Sequence, residues 1–205
     1  MTALDLLLPS TCAGCGRRGT ACCARCLAGF GPPQPVRVPG VGPPVWALAA
    51  YHGVARELVL AFKERGAREL AAWFGALVAA ALVSVGPAPW TLVPAPSRRS
   101  AARERGGDHM LRIAREVEIA TVAPVLRLRP GVADSVGLSA GARRQNLAGR
   151  VEVCGRPPPG TTVVLDDVIT TGATAAACVR ALRGAGVRAR GVVVLTSARP
   201  HQAGM

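Results

Sequence analysis

The chain has few aromatic residues: three Trp, three Phe and one Tyr among 205. Grooves that hold single-stranded nucleic acid stack bases on aromatic rings, so this scarcity removes the usual companion of that function. Lysine is nearly missing too, since Lys63 is the one lysine among 25 Lys and Arg residues. No apolar run is long enough to span a bilayer. The stretch Ala71–Val85 is too short and starts beside Arg68 and Glu69, which predicts a buried helix and no membrane span. Asp5 interrupts the N-terminal apolar run and no basic region precedes it, so no signal peptide is predicted and the cytoplasm is the expected location. Acidic residues are also few. Twelve of them against 25 basic residues give a net charge of +13, which points to a polyanionic partner or a phosphate-rich substrate. A hydrophobic content of 50% excludes general disorder, and the length allows one medium domain with a small appendage.

What is present is unevenly placed. Five of the seven cysteines lie in residues 1–28, and Gly29–Pro44 then supplies six prolines and four glycines in sixteen positions, which marks a linker. Cys12-x2-Cys15 and Cys23-x2-Cys26 are two knuckles whose four thiolates can close a tetrahedral Zn²⁺ site. Such a site is structural, because four sulfurs leave no open position for water; a redox switch is the competing use. Cys22 spoils the knuckle spacing and is read as a spectator, while Cys178 sits on an apolar helix face and is read as core.

Residues 45–198 alternate strand and helix patterns. Val45–Tyr51 reads as a strand, and Val54, Leu58, Ala61 and Phe62 share one face of a helix ending near Arg65. A second helix is expected over Ala67–Val85, a strand over Trp90–Val93, and a helix with Met110, Ile113, Ala114 and Val117 at core spacing. Thr121–Leu128 reads as the next strand, with a short helix around Ser139–Leu147. After the turn Pro157–Gly160 come a strand, a helix whose apolar face carries Ala175, Cys178, Val179 and Leu182, and a last strand over Val187–Thr196, with 199–205 as a tail. This alternation implies right-handed crossovers and a mainly parallel sheet with helices on both faces, an α/β fold whose ligands sit beyond the carboxyl ends of the strands.

One such end carries the most informative stretch, TVVLDDVITTGAT at Thr162–Thr174. A buried strand runs into Asp166 and Asp167 and then into a turn that opens a helix, where free N–H groups and the positive end of the helix dipole favour a phosphate. Thr170, Thr171 and Thr174 add hydroxyl donors. Gly172, beside Ala173, lets the backbone approach without a Cβ. The carboxylates suit vicinal sugar hydroxyls or a Mg²⁺ near them. The order of hydrophobic run, Asp-Asp, two aliphatics and Thr-Thr-Gly-x-Thr resembles the phosphoribosyl-pyrophosphate (PRPP) motif of type I phosphoribosyltransferases, and lacks the Gly-Lys-Ser/Thr ending of a Walker A loop. By that resemblance Ser97, Arg98 and Arg99, in the loop after the first core strand, are assigned to pyrophosphate. Eleven Arg and five acidic residues lie from Ser97 to Arg150. Arg103, Arg105, Arg143 and Arg144 are candidates for a flap over the pyrophosphate or a track along nucleic acid. His109 could touch a ligand or sit on a helix face.

Five stretches in order, CAGC…CARC, AFKERG at Ala61–Gly66, VPAPSRRSAARERGGDH at Val93–His109, GLSAGARRQNLAG at Gly137–Gly149 and the motif itself, resemble the ComF family. The resemblance implies a type I phosphoribosyltransferase-like domain preceded by a small zinc-ribbon-like module, and a role in bacterial DNA uptake or processing. Two departures stand out: no second cysteine pair follows the knuckles, and Gly107-Asp108-His109 stands where many relatives have Phe-Asn-Gln. Two functions fit. In one, the protein binds PRPP or a related nucleotide-like ligand with Mg²⁺ and transfers its ribosyl group. In the other, it is a non-catalytic adaptor that holds single-stranded DNA and DNA-uptake proteins on its basic surface and keeps only a vestigial pocket.

Overall fold

The computed structural model describes residues 11–97, 107–129 and 150–199. Three helices cover one face of a six-stranded sheet. They are α2 (Gly53–Glu64), α3 (Leu70–Val85) and α4 (His109–Arg115). A short α1 (Ala24–Leu27) belongs to the cysteine segment. The opposite face is covered by α5 (Ala173–Gly184). The strands are β1 (Gln34–Pro35), β2 (Val45–Ala50), β3 (Trp90–Pro94), β4 (Ala120–Val122), β7 (Thr161–Ile169) and β8 (Ala189–Ser197), in spatial order β1-β2-β8-β7-β3-β4. Within this sheet, among the described residues, β1 pairs antiparallel with β2 and the other neighbours pair in parallel. The expected α/β architecture, a mainly parallel sheet with helices on both faces and a four-cysteine module, is the one found.

The central strands are rich in Val and Thr because both faces are buried, and β-branched side chains pack well on a pleat covered on both sides. Alternation divides them between two cores. Val163, Leu165, Val193 and Leu195 face α2, α3 and α4, while Val164, Val192 and Val194 face α5. On α2 the buried positions Ala55, Leu58, Val59 and Phe62 follow the helical repeat. The cysteine segment is part of the first core: Cys12, Cys22, Cys23, Cys26 and Phe30 are buried there, and Phe30 meets Phe74 edge-on at 5.7 Å.

Two segments differ from what composition implies. The stretch expected as a linker, Gly29–Pro44, is packed: Gln34 and Pro35 pair with β2, and Val36 and Val41 are buried under α5. The strand expected over Thr121–Leu128 is two strands, β4 in the main sheet and β5 (Leu126–Leu128), which pairs with β6 (Val151–Val153) in a separate two-stranded antiparallel sheet. Pro124 explains the break, since it has no N–H to give to a ladder. The helix expected at Ser139–Leu147 lies outside the described residues. No helix among the described residues is long and apolar enough to cross a membrane.

Candidate functional site

Neighbouring parallel strands β3 and β7 send their chains to opposite faces, β3 into α4 and β7 into α5. That divergence opens a crevice at their carboxyl ends, the usual ligand position in open α/β sheets. A cleft of about 320 Å³ lies at the carboxyl end of β7, lined by Lys63, Asp166, Val168 and the turn from Thr170 to Thr174. The turn forms because Gly172 takes a left-handed conformation, φ +80°, and becomes the N-cap of α5. Thr171 Oγ1 accepts from the Ala173 N–H at 3.3 Å, a local bond that sets the entry to the helix. The next N–H groups of the first turn have no intrahelical acceptor, so the positive end of a twelve-residue helix is directed at the cleft. Arg199 braces the turn: its guanidinium donates to the Thr170 carbonyl at 3.2 Å.

Strand alternation separates the two carboxylates. Asp166 is registered with Val194, on the α5 side, and lines the cleft. Asp167 falls on the Leu165 side, under α2 and α4, with its side chain only 8% exposed. Its Oδ2 receives Lys63 Nζ at 2.6 Å and His109 Nε2 at 2.9 Å, and its Oδ1 accepts the Val168 N–H at 2.6 Å. His109 Nδ1 reaches Ser97 Oγ at 3.2 Å. The Ser97 N–H in turn donates to Asp108 Oδ2 at 3.2 Å, while Asp108 Oδ1 caps α4 through the Met110 and Leu111 N–H groups. One chain of contacts thus ties the loop after β3 to the motif strand and to α2. Burial raises the carboxyl of Asp166 to about 8, helped by the negative charge of Asp167. Burial also opposes ionisation of Asp167, but the His109 bond and the Lys63 ammonium outweigh it and hold this carboxyl far below its ordinary value.

Of the residues assigned from sequence, Asp166, Thr170, Thr171, Gly172, Ala173 and Thr174 come together on one cleft, and Ser97 stands at the next strand end, joined to it through His109. Arg98, Arg99, Arg103, Arg105, Arg143 and Arg144 lie outside the described residues. Sequence reasoning gave no role to Lys63 or Arg199. Lys63 carried a signal, as the single lysine in a chain that otherwise uses Arg. A Mg²⁺ demands a near-octahedral oxygen shell. Asp167 does not fit that demand, since three of its roughly four lone-pair positions are already occupied. Asp166 accepts the Asp167 N–H at 2.9 Å and keeps its remaining oxygen positions toward the cleft.

The cysteines form a second centre. Bonds of about 2.3 Å from zinc to sulfur give a tetrahedron with edges of roughly 3.8 Å. Cys15 Sγ lies 3.7 Å from Cys23 Sγ, and the four sulfurs of Cys12, Cys15, Cys23 and Cys26 all lie within 4.8 Å of one another, so this cluster could bind a metal ion. Burial disfavours the Cys12 thiolate, but N–H groups of Cys23, Gly14 and Cys15 overcome it and bring the thiol down to about 6. Cys22, raised to about 11 by burial and by the neighbouring sulfurs, stays a thiol outside the cluster. Cys178 is fully buried in the α5 core.

No family model matches the chain, and no curated protein matches it. Among solved structures, it is similar to a hypoxanthine phosphoribosyltransferase from Staphylococcus aureus, at 12% identity over 69% of this chain and 70% of that one, with a TM-score of 0.35. A hypoxanthine phosphoribosyltransferase from Trypanosoma cruzi, in a ternary substrates complex, is similar at 13% identity over 70% of this chain and 74% of that one, with a TM-score of 0.36. Superpositions this loose carry no argument about chemistry.

Proposed function

We propose that the protein binds PRPP or a related ribose-phosphate in the cleft at the end of β7. The observation that carries this reading is the convergence of the Thr170–Thr174 turn, the N-terminus of α5 and the Asp166 carboxyl group on one cavity. The turn would take the 5′-phosphate on backbone N–H groups and threonine hydroxyls, and Asp166 would accept from ribose hydroxyls. Asp167 would act one step back, through Lys63 and His109. Ser97, with Arg98 and Arg99, would supply donors to pyrophosphate, and Arg103, Arg105, Arg143 and Arg144 a basic cover. Mg²⁺ would travel with PRPP on its phosphate oxygens, beside Asp166. Transfer would break the anomeric C–O bond to pyrophosphate, which leaves, and join that carbon to a nucleophilic atom of an acceptor through an oxocarbenium-like state.

Cys12, Cys15, Cys23 and Cys26 would hold a structural Zn²⁺ that fixes a segment too short to make its own core. The ComF-like order of stretches supports a further reading of the protein as a cytoplasmic phosphoribosyltransferase-domain component of DNA uptake or processing. Thermal melting tests the binding claim. Millimolar PRPP with Mg²⁺ should raise the melting temperature by mass action, and no shift would sink the reading.

A second reading, binding of single-stranded DNA, is favoured by a cleft of about 740 Å³ at the opposite end of the sheet, lined by Arg183, Arg188 and Arg190. Affinity for a single strand should then fall steeply with salt. Binding that is absent, or indifferent to salt, removes this reading.

A further inference from the structure

The unequal surroundings of Asp166 and Asp167 bear on which cation the cleft requires. Asp167 sits behind the cleft with its negative charge already met. Lys63 Nζ is 2.6 Å and His109 Nε2 2.9 Å from the same oxygen, and the other oxygen takes a backbone N–H. A divalent ion approaching this carboxylate would find one lone-pair position left, on a side chain that is 8% exposed and already faces an ammonium. The place of a metal at Asp167 is therefore taken by an ammonium. Lys63 also lines the cavity that holds Asp166 and the threonine turn, so its charge reaches both the buried carboxylate and the space a ligand would fill.

Its placement has independent supports. Lys63 lies in the last turn of α2, where the helix dipole favours a cation. Phe62, its neighbour, is buried and lies 6.2 Å from the His109 ring, which fixes the end of the helix against α4. The residue type is informative as well. Every other basic residue among the 25 is Arg, whose flat guanidinium is broad, while this position holds the compact, three-donor charge that suits a phosphate or sugar oxygen.

We propose that Lys63 is the resident cation of the cleft and that, through it, the protein recognises a ribose 5-phosphate group without a divalent metal. The inference rests on the ribose-phosphate reading above and narrows it to the ligand's sugar-phosphate half. Pyrophosphate in PRPP brings further charge that Mg²⁺ can still serve.

Calorimetric titration of ribose 5-phosphate into the full chain tests it. The titration is run in buffer freed of divalent ions on a chelating resin and again with added Mg²⁺. A soluble chelator is left out because it would compete for the four cysteines. Wild-type affinity should agree within about twofold between the two buffers. Lys63→Met should lose about tenfold or more in the metal-free buffer and regain part of it with Mg²⁺, a rescue that a merely structural lysine would not produce. If that variant fails to fold, the wild-type comparison decides alone. Wild-type affinity that rises about tenfold with Mg²⁺ overturns the inference and leaves the ribose-phosphate reading standing, and so does a folded Lys63→Met that binds like wild type without metal. No binding by the wild type in either buffer overturns both.

Discussion

Replacing Gly172 by Ala tests how the turn at the start of α5 is held. Gly172 has φ +80°, and a Cβ there would collide with Val38 Cγ1 and come to 3.3 Å from Val41 Cγ2. Two costs follow. An L-residue in the left-handed region costs about 1–2 kcal/mol, and forcing a methyl into an occupied space costs about 1–3 kcal/mol. Val38 is half-buried and can yield in part, so the sum is set at roughly 2–4 kcal/mol. For a chain of this size each kcal/mol moves the melting temperature by roughly 2–4 °C, so Gly172→Ala should melt roughly 5–15 °C below wild type. Val38→Ala separates the two costs. It removes the Val38 methyl the new Cβ would strike but leaves the Val41 contact and the backbone strain, so the double variant should recover about half the loss, a coupling of about 1–2 kcal/mol. Differential scanning calorimetry of the four proteins reads this directly. A single variant that melts within about 1 °C of wild type would refute the strain argument, and strict additivity would refute the collision.

Three other outcomes follow from the same structure. Thr162 is 1% exposed and its Oγ1 has no hydrogen-bond partner among the described residues, so Thr162→Val should raise stability by about 1 kcal/mol in denaturant melts, and a loss would mean that the hydroxyl is satisfied in solution. Asp166 carries a carboxyl raised to about 8 against an unfolded value near 3.9, so its contribution to stability is full below the unfolded value and is lost as pH rises through about 8. Wild type should therefore gain melting temperature from pH 8.5 toward pH 6 relative to Asp166→Asn, and parallel pH profiles would contradict the assignment. Cys12→Ser should lower the bound zinc measured by plasma emission and the melting temperature together, because Cys12 is buried in the core shared by α2 and α3. A full complement of zinc in that variant would exclude Cys12 as a ligand.

Local chemistry was legible in the sequence. The four-cysteine spacing, the βα order and the threonine-glycine turn each follow from rules that span a few residues, and the structure brings Asp166 and Thr170–Thr174 onto one cleft. Where one residue changed the rule, the reading strayed. Pro124 divided a strand that hydrophobicity alone made continuous. The Pro- and Gly-rich stretch read as a linker, because composition reports stiffness and turns but not the surface that Val36 and Val41 find under α5.

The roles of the paired carboxylates depended on tertiary structure. Sequence determined that two acids stand side by side before a threonine-glycine turn, since that is fixed by the order of residues along one strand. Adjacent side chains on a strand point to opposite faces, so a pair that reads as one site is shared between two. Only the packing of α2 and α4 against one face of β7 brings Lys63 and His109 to Asp167, while the other face leaves Asp166 to the cleft. Which charge is spent inside the fold and which remains for a ligand is set by contacts between residues far apart in the chain, and no local pattern encodes those.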